Sequence, residues 1–151
     1  MNLFVTDTCP GLSALALDDR RLVKAVLETA QLLSTVLGGP YRPTHRNHPV
    51  TRWVAGAEAN AAWTYAHFLA LCVEYSVRFR RTHACEALAA GFAAALAPAD
   101  GPPADFQNSA RNATLGLDYA DRPVPISYRG YLAEKWRLDR AAGRPPKWTG
   151  R

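Results

Sequence analysis

The segment from Asp18 to Leu37 constrains the fold most, because its apolar residues recur at the spacing of a long amphipathic helix. These residues would form one broad face: Leu22, Val23, Val26, Leu27, Ala30, Leu33 and Leu37. Asp18 or Asp19 is suited to cap the start, and Gly38-Gly39-Pro40 is a typical stop. We predict a helix over this range whose apolar face packs against other helices.

The polar residues of the same segment form a single narrow stripe. They fall at i, i+3, i+7, i+10 and i+14: Arg21, Lys24, Glu28, Gln31 and Thr35. A carboxylate such as Glu28 can stabilise an oxocarbenium-like sugar, and an amine such as Lys24 can attack its anomeric carbon. Two interpretations stay open. The stripe is either a site that cleaves a glycosidic bond or an ordinary solvated face with one surface ion pair.

Length and charge indicate one domain and an anionic partner. The chain has 151 residues, of which 48% are hydrophobic and 21% charged, enough for a single compact domain over 1–151. The formal net charge is +5. An excess of arginine and lysine favours a polyanion such as nucleic acid over a neutral small molecule.

The sequence also excludes several classes of protein. It has no apolar run of membrane-spanning length, and the first residues lack an export signal, so we expect a cytoplasmic protein without a membrane partner. Three cysteines without a Cys-x-x-Cys pair give no support to a disulfide or zinc framework. His45 and His48 have no evident third ligand, and we expect neither a metal nor another cofactor.

A second helical segment is predicted from about Val50 to Thr82, with an interruption near Asn60. Its polar residues recur at three- and four-residue steps: Asn60, Thr64, His67, Glu74, Arg78 and Arg81. Polar stripes on otherwise apolar helices are costly to bury unless they satisfy each other. We therefore expect Glu28 to share one polar cleft with four of these residues: Asn60, His67, Glu74 and Arg78.

The remaining chain is predicted as a short helix, a long loop and a last helix. The alanine-rich range 84–96 favours a packed helix. The range 98–125 has the composition of a loop, in which Gln107, Asn108, Arg111 and Asn112 are possible donors to phosphates or bases. The last helix, about 127–141, interleaves cations with aromatics. Its Trp136, with Trp148 beyond it, either stacks on bases or anchors the chain's tail.

A loop bounded by prolines leads into the second helical segment. It carries His45, Asn47 and His48 between Pro43 and Pro49. A helix start offers unpaired backbone donors and the positive end of a dipole. We expect this loop to contact an anion or to orient a substrate.

Four motifs resemble a known family. They are Met1-Asn-Leu-Phe4, Leu27-Glu-Thr-Ala-Gln-Leu-Leu33, Thr44-His-Arg-Asn-His-Pro49 and Glu74-Tyr-Ser-Val-Arg-Phe79. The first three resemble a group of small, mostly phage-borne proteins assigned to the pyrimidine-dimer DNA glycosylases. The fourth, at the end of the second helical segment, resembles endonuclease V, a member of that family. The resemblance implies an all-α, compact single-domain bundle in which Glu28 is the catalytic carboxylate.

The resemblance also implies an amine nucleophile. In endonuclease V this is the α-amine of a threonine exposed when the initiator methionine is removed. This chain departs from that pattern, because Asn2 has a bulky side chain that hinders removal, so Met1 is the expected terminus. An α-amine has a pKa near 7.7–8.0 against about 10.4 for lysine, so Met1 is the better nucleophile at neutral pH. Lys24 would need burial or a neighbouring cation to compete.

The predicted function is cleavage of an N-glycosidic bond in DNA at a damaged or modified pyrimidine, with or without a lyase step. A monomer acting on double-stranded DNA is expected. Expected substrate contacts are Arg20, Arg21, Gln31, His45, Asn47, His48, Asn60, His67, Glu74, Arg78 and Arg129, and further phosphate contacts are Arg46, Arg52, Lys135 and Lys147. Two alternatives stay open: a non-catalytic nucleic-acid-binding protein, and a glycosidase or transferase acting on a free nucleotide or a hypermodified base.

Overall fold

The computed structural model describes residues 2–150, and within this range most of the regular secondary structure is helical. Two 3₁₀ turns (Ala84–Leu88 and Ala113–Leu115) and one antiparallel hairpin, β1 (Arg111–Asn112) with β2 (Leu117–Asp118), accompany the helices. The helices are α1 (Pro10–Leu15), α2 (Asp19–Leu37), α3 (Pro49–Ala55), α4 (Glu58–Phe79), α5 (Ala89–Ala95) and α6 (Val124–Ala141). The predicted all-α class is confirmed.

Helix α2 has the bounds that the sequence predicts. It ends at Leu37 and is capped by Gly38, whose φ of 80° is the left-handed conformation that glycine adopts most easily. Asp18 occupies the N-cap position, but its side chain makes no capping hydrogen bond to the helix backbone. The Asp18 carboxylate instead accepts hydrogen bonds from Arg21 and Trp136, 2.8 Å each. Its role is thus to join α2 to α6.

The second helical segment is two helices. The break between α3 and α4 falls at Gly56 and Ala57, a few residues before the predicted interruption at Asn60. Asn60 lies in the first turn of α4, where its Nδ2 donates to the Trp53 carbonyl at 2.7 Å and its Oδ1 accepts from the Ala104 amide at 2.9 Å. The side chain therefore holds α3 and the long loop against the start of α4.

Two apolar clusters form the core. The first joins α1, α2, α4 and α5 through residues such as Leu22, Val26 and Phe68. The second brings the N-terminal segment, α3 and α6 together around Leu3, Val5, Trp63, Tyr128 and Tyr131. Because Leu3 and Val5 pack in the second cluster, residues 2–5 are held beside α2 and α6.

The N-terminal region contains one short helix. Residues 2–5 form no strand, and α1 begins at Pro10. Proline is well suited to the first turn of a helix, because its missing N–H would have no partner there. Ser13 secures the turn into α1, since its hydroxyl donates to the Asp7 carbonyl and accepts from the Asp7 amide.

The C-terminal tail is pinned to the first helices. The rings of Trp136 and Trp148 meet edge to face at 5.1 Å, and the Trp148 indole N–H donates to the Ala16 carbonyl at 3.4 Å. Thr149 donates its hydroxyl and its amide to the Asp19 carboxylate. The two tryptophans are anchors of the tail in this structure. No helix in the described range is long and apolar enough to cross a membrane.

Candidate active site

A cavity of about 500 Å³ opens between α2, α6, the N-terminal segment and strand β1. Its lining residues come from four parts of the chain: Asn2, Phe4, Arg20, Arg21, Lys24, Ala25, Glu28, Arg111, Asn112, Tyr131, Lys135, Asp139 and Arg144. Six of these side chains are cationic and two are acidic. The cavity is therefore strongly attractive to an anion.

Helical spacing places the lining residues on facing sides of two helices. On α2, Arg21, Lys24 and Glu28 follow each other at three- and four-residue steps, and on α6 Tyr131, Lys135 and Asp139 do so at four-residue steps. The two faces meet where Arg21 donates to Asp139 at 2.8 Å.

Arg21 is the cation that closes this end of the cavity. Its side chain is only 13% exposed and donates to Asp18 as well as to Asp139. Burial alone would raise the pKa of Asp139, but the hydrogen bond and charge of Arg21 outweigh it, and the pKa is lowered. Arg20 and Arg144 add weaker contacts to the same carboxylate, at 3.4 and 3.9 Å. The Asp139 carboxylate is thus held ionised by three arginines.

Glu28 and Lys24 form an ion pair in the cavity wall. Lys24 Nζ lies 3.3 Å from Glu28 Oε1, one helical turn apart on α2. The Glu28 side chain is only 16% exposed, whereas that of Lys24 is 73% exposed. The carboxylate is therefore partly shielded from water in a cavity lined mostly by cations.

Asn2, the first described residue, forms part of the cavity wall. Asn2 Oδ1 accepts a hydrogen bond from the buried Tyr128 hydroxyl at 2.7 Å, and its Nδ2 donates to the Ser109 carbonyl at 3.5 Å. These contacts fix Asn2 between α6 and the long loop. Met1, the expected nucleophile, lies outside the described residues.

Two aromatic rings line the cavity beside Asn2. Phe4 and the buried Tyr131 lie 6.4 Å apart between ring centroids, tilted by 32°. A second contact, edge to face at 5.9 Å with Tyr128, holds the Phe4 ring in place. Flat rings at the wall of a cationic cavity are suited to a nucleobase that leaves its stack.

The expected shared cleft of two polar stripes is not formed. Asn60, His67, Glu74 and Arg78 are buried and none of them lines the cavity with Glu28. Asn60, His67 and Arg78 instead contact backbone carbonyls of α3, of α1 and of the residues just after α1. The prediction was wrong since it assumed that the two stripes would satisfy each other rather than the backbone.

Arg78 illustrates what this stripe does. Its guanidinium donates to Glu74 at 2.7 Å and to the Leu17 carbonyl at 2.7 Å. It also donates to Asp19 at 3.1 Å and to the Leu15 carbonyl at 3.2 Å. The group joins α4 to the end of α1 and the start of α2, so it supports the helix that carries Glu28 without touching the cavity.

His67 has a related structural contact. Its Nδ1 lies 3.0 Å from the Pro10 carbonyl, and its ring stacks on Trp63 at 5.2 Å. Full burial lowers the pKa of His67 to about 4, so the ring is neutral at pH 7 and Nδ1–H donates to the carbonyl. His67 thereby ties the start of α1 to α4.

The loop before α3 lies beyond Glu28 along the same face of α2. Thr35 Oγ1 accepts from the Thr44 amide at 3.2 Å and donates to the Gln31 carbonyl at 2.8 Å. His48 caps α3, because its Nδ1 accepts from the Val50 amide at 3.2 Å. Burial, with nearby positive charge that includes His45, lowers the pKa of His48.

The other expected contacts of this region differ in exposure. His45 and Asn47 are exposed, and Gln31 is half-buried one turn after Glu28. These residues and His48 continue the stripe of α2 but do not line the cavity. Arg129 lies elsewhere, where it donates to the Thr6 carbonyl at 2.8 Å and pairs with Asp7 at 3.3 Å.

A second basic hollow adjoins the cavity. It measures about 540 Å³ and is lined by Asp19, Arg20, Gly143, Arg144, Pro145 and Lys147. Arg20 and Arg144 belong to both hollows. The cationic surface therefore continues from the cavity past the start of α2 to the C-terminal tail.

The sequence left several cavity residues without a site role. Lys135 was predicted only as a phosphate contact, Tyr131 was recognised only as one of the aromatics of the last helix, and Asp139 was not singled out. Their four-residue spacing on α6 was a signal that could have grouped them. Of the loop donors, Arg111 and Asn112 line the cavity, whereas Asn108 is engaged with Ser127 and the Arg122 carbonyl.

These features define a class: a small helical protein with an anion-attracting cavity and a shielded carboxylate in its wall. The chain belongs to the pyrimidine dimer DNA glycosylase family, whose sequence model matches residues 1–87. Neither a curated protein nor a solved structure matches the chain. The matched range includes Lys24 and Glu28, whereas the cavity wall formed by β1 and α6 lies beyond it. DNA is the substrate that membership of this family implies.

Proposed function

We propose that the protein cleaves the N-glycosidic bond of a damaged or modified pyrimidine nucleotide in double-stranded DNA. The observation that carries the proposal is the shielded Glu28 carboxylate in a cavity whose other charged groups are mostly cations. A target nucleotide brings an anionic phosphate and, as its base departs, a cationic sugar. The cavity offers a complementary charge to each.

Glu28 is proposed to stabilise the positive charge that develops on the sugar. Its carboxylate is partly withdrawn from water, which strengthens its interaction with a nearby cation. An amine then attacks C1′ while the electron pair of the glycosidic bond leaves with the base. The resulting imine would permit a lyase step, which is part of this proposal.

The phosphates are proposed to bind along the two adjoining basic hollows. Arg20, Arg144 and Lys147 lie where the hollows meet or continue, and Arg111 faces them from β1. Exposed cations elsewhere, Arg46, Arg52 and Arg129, would add contacts to more distant phosphates. Such contacts position the duplex without reading its sequence.

The extruded base is proposed to lie against Phe4 and Tyr131. Asn2 and Asn112 line the same cavity. Their side-chain amides would hydrogen-bond to the polar edge of the base. Gln31, His45, Asn47 and His48, which continue the stripe beyond Glu28, would contact nucleotides flanking the target. The loop before α3 would thus bind DNA outside the reacting centre.

The expected nucleophiles are the amines of Met1 and Lys24. Asn2, to which Met1 is covalently attached, lines the cavity, and this supports the α-amine. Lys24 has cationic neighbours in Arg20 and Arg21 but lacks the burial that would make its amine nucleophilic, since its side chain is 73% exposed and paired with Glu28. The α-amine is therefore the better supported of the two.

The test is base release from duplexes carrying ultraviolet-induced dimers, deaminated bases or hypermodified pyrimidines. Glu28→Gln keeps the side-chain shape and should reduce the single-turnover rate by at least two to four orders of magnitude, the usual scale for a lost catalytic carboxyl group. Its binding to the same duplex should be retained. Glu58→Gln is the matched control, because Glu58 is exposed at the start of α4 and lies outside the cavity.

Two outcomes would replace the proposal. Wild-type protein that binds these duplexes but releases no base would leave the binding-only function. Turnover of free nucleosides or nucleotides that is insensitive to salt would favour the small-molecule glycosidase.

A further inference from the structure

The cavity contains a second ε-amine that differs from Lys24 in its surroundings. Lys135 lies on α6, across the cavity from the face of α2 that carries Lys24 and Glu28. It is half-buried, whereas Lys24 is exposed. Among residues 2–150, Lys135 forms no hydrogen bond or ion pair, whereas Lys24 pairs with Glu28. The Lys135 amine is therefore not tied to a carboxylate that would hold it protonated.

The charges that face Lys135 are mostly positive. Arg20, Arg21 and Lys24 face it from α2, and Arg111 and Arg144 line the same cavity. The acidic groups are Glu28, which pairs with Lys24, and Asp139, which is held by Arg21 at 2.8 Å. A lysine surrounded in this way is driven toward its neutral form, because a further positive charge costs free energy.

The pKa of Lys135 agrees with these surroundings. Burial, followed by the positive charges of Arg21, Lys24 and Arg20, lowers the pKa of Lys135, and Asp139 opposes the change only in part. Of the two lysines in the cavity, Lys135 thus meets both conditions, burial and neighbouring cations, that make an ε-amine nucleophilic.

We propose that Lys135 is a nucleophile of this cavity and forms a covalent imine with C1′ of the target deoxyribose. This inference rests on the proposed function for its substrate, and it adds a residue outside the range that the family model matches. The nitrogen lone pair of Lys135 forms the bond to C1′, and the electron pair of the glycosidic bond leaves with the base. As the sugar ring opens, the two protons of the amine pass to the departing base and to O4′. The product is an imine, a free base and a 4′-hydroxyl.

The first experiment uses DNA from which the base has already been removed. Wild-type protein is incubated with a duplex containing one abasic site and borohydride, which reduces an imine to a stable secondary amine. The adduct is then located by peptide mapping. The chain has three lysines, Lys24, Lys135 and Lys147, so the assignment is clear, and the exposed Lys147 in the adjoining hollow controls for unspecific reaction.

The expected adduct is on Lys135. An adduct on Lys24, on Lys147 or on the N-terminal peptide, or the absence of any adduct, would overturn the inference. Because abasic DNA bypasses base release, the result is independent of whether the glycosylase step occurs. Base release together with an adduct on the N-terminal peptide would leave the proposed function intact and reject Lys135 alone.

Variants supply a second measurement. Lys135→Arg keeps a long basic side chain but removes the nucleophilic amine, and it should reduce the trapped fraction at least about tenfold while duplex binding changes no more than about twofold. In the Lys24→Arg variant, the adduct should still form on Lys135. The trapping rate of wild-type protein should rise with pH and level off below pH 10.4, the ordinary pKa of lysine. Trapping by Lys135→Arg at the wild-type rate would contradict the inference.

Discussion

Arg21 on α2 donates one hydrogen bond to Asp18 below it and another to Asp139 on α6, both at 2.8 Å. The guanidinium has the planar, multiply donating geometry that such a bridge requires, and lysine does not. The contact joins the two helix faces that line the cavity. It also leaves Arg21 largely buried, so its contribution is to hold the cavity in shape more than to bind phosphate.

Loss of this bridge should destabilise the protein. Arg21→Met removes the charged partner of the fully buried Asp18 and the shortest of the contacts to the partly buried Asp139, and we expect the free energy of unfolding to fall by about 3–5 kcal/mol. Urea denaturation at pH 7 measures the change. Arg20→Met, at a side chain that is 55% exposed, should cost less than about 1 kcal/mol. Equal losses of unfolding free energy in the two variants would show that the Arg21 bridge stabilises the protein no more than an exposed ion pair does.

Arg78→Met should be similarly costly for a different reason. The Arg78 side chain is fully buried, and its removal leaves Glu74 and the carbonyls of Leu15 and Leu17 without this donor. We expect a loss of about 3–5 kcal/mol in the free energy of unfolding. Arg140→Met, at an exposed position of α6, should stay within about 0.5 kcal/mol of wild type. A loss below 1 kcal/mol for Arg78→Met would contradict a supporting role for this group.

Protonation of His67 should destabilise the fold in mild acid. Its pKa is about 4 in the folded protein and near 6.5 when unfolded, so the unfolded state binds the proton more tightly. The stability is therefore fully present above pH 6.5 and falls as the pH drops toward 4, by roughly 3 kcal/mol in total. Denaturation of wild type and His67→Gln at pH 7 and pH 4 isolates this effect. A variant with the same pH dependence as wild type would rule it out.

Binding to DNA should weaken steeply with salt. If about four to six cations contact phosphates, counterion release gives a slope of roughly −3 to −5 in a plot of log affinity against log salt concentration. Titration of a fluorescent duplex between low and moderate salt measures it. Arg144→Gln, at a residue shared by both hollows, should reduce the magnitude of the slope by about one. A slope near zero would remove the phosphate-binding surface from the proposal.

The sequence predicted the helix that carries Glu28 well and the second polar stripe poorly. Helix α2 has a regular apolar period, a glycine stop and no competing signal, so local pattern was sufficient. The stripe of α4 has the same spacing, but spacing does not say what a buried polar side chain faces. His67 meets the Pro10 carbonyl and Arg78 meets those of Leu15 and Leu17, which are partners distant in sequence.

The candidate site, too, could be predicted only in part from the sequence. The sequence alone indicated a helical protein of one domain, a cationic surface, and Glu28 with Lys24 one turn apart, because composition and helical period are local properties of the chain. The tertiary structure decided which groups join them. Asn2, Arg111, Lys135 and Asp139 meet α2 only because the N-terminal segment, the hairpin and α6 pack around one core cluster. Contacts across more than a hundred residues depend on that packing, and no pattern of neighbouring residues encodes them.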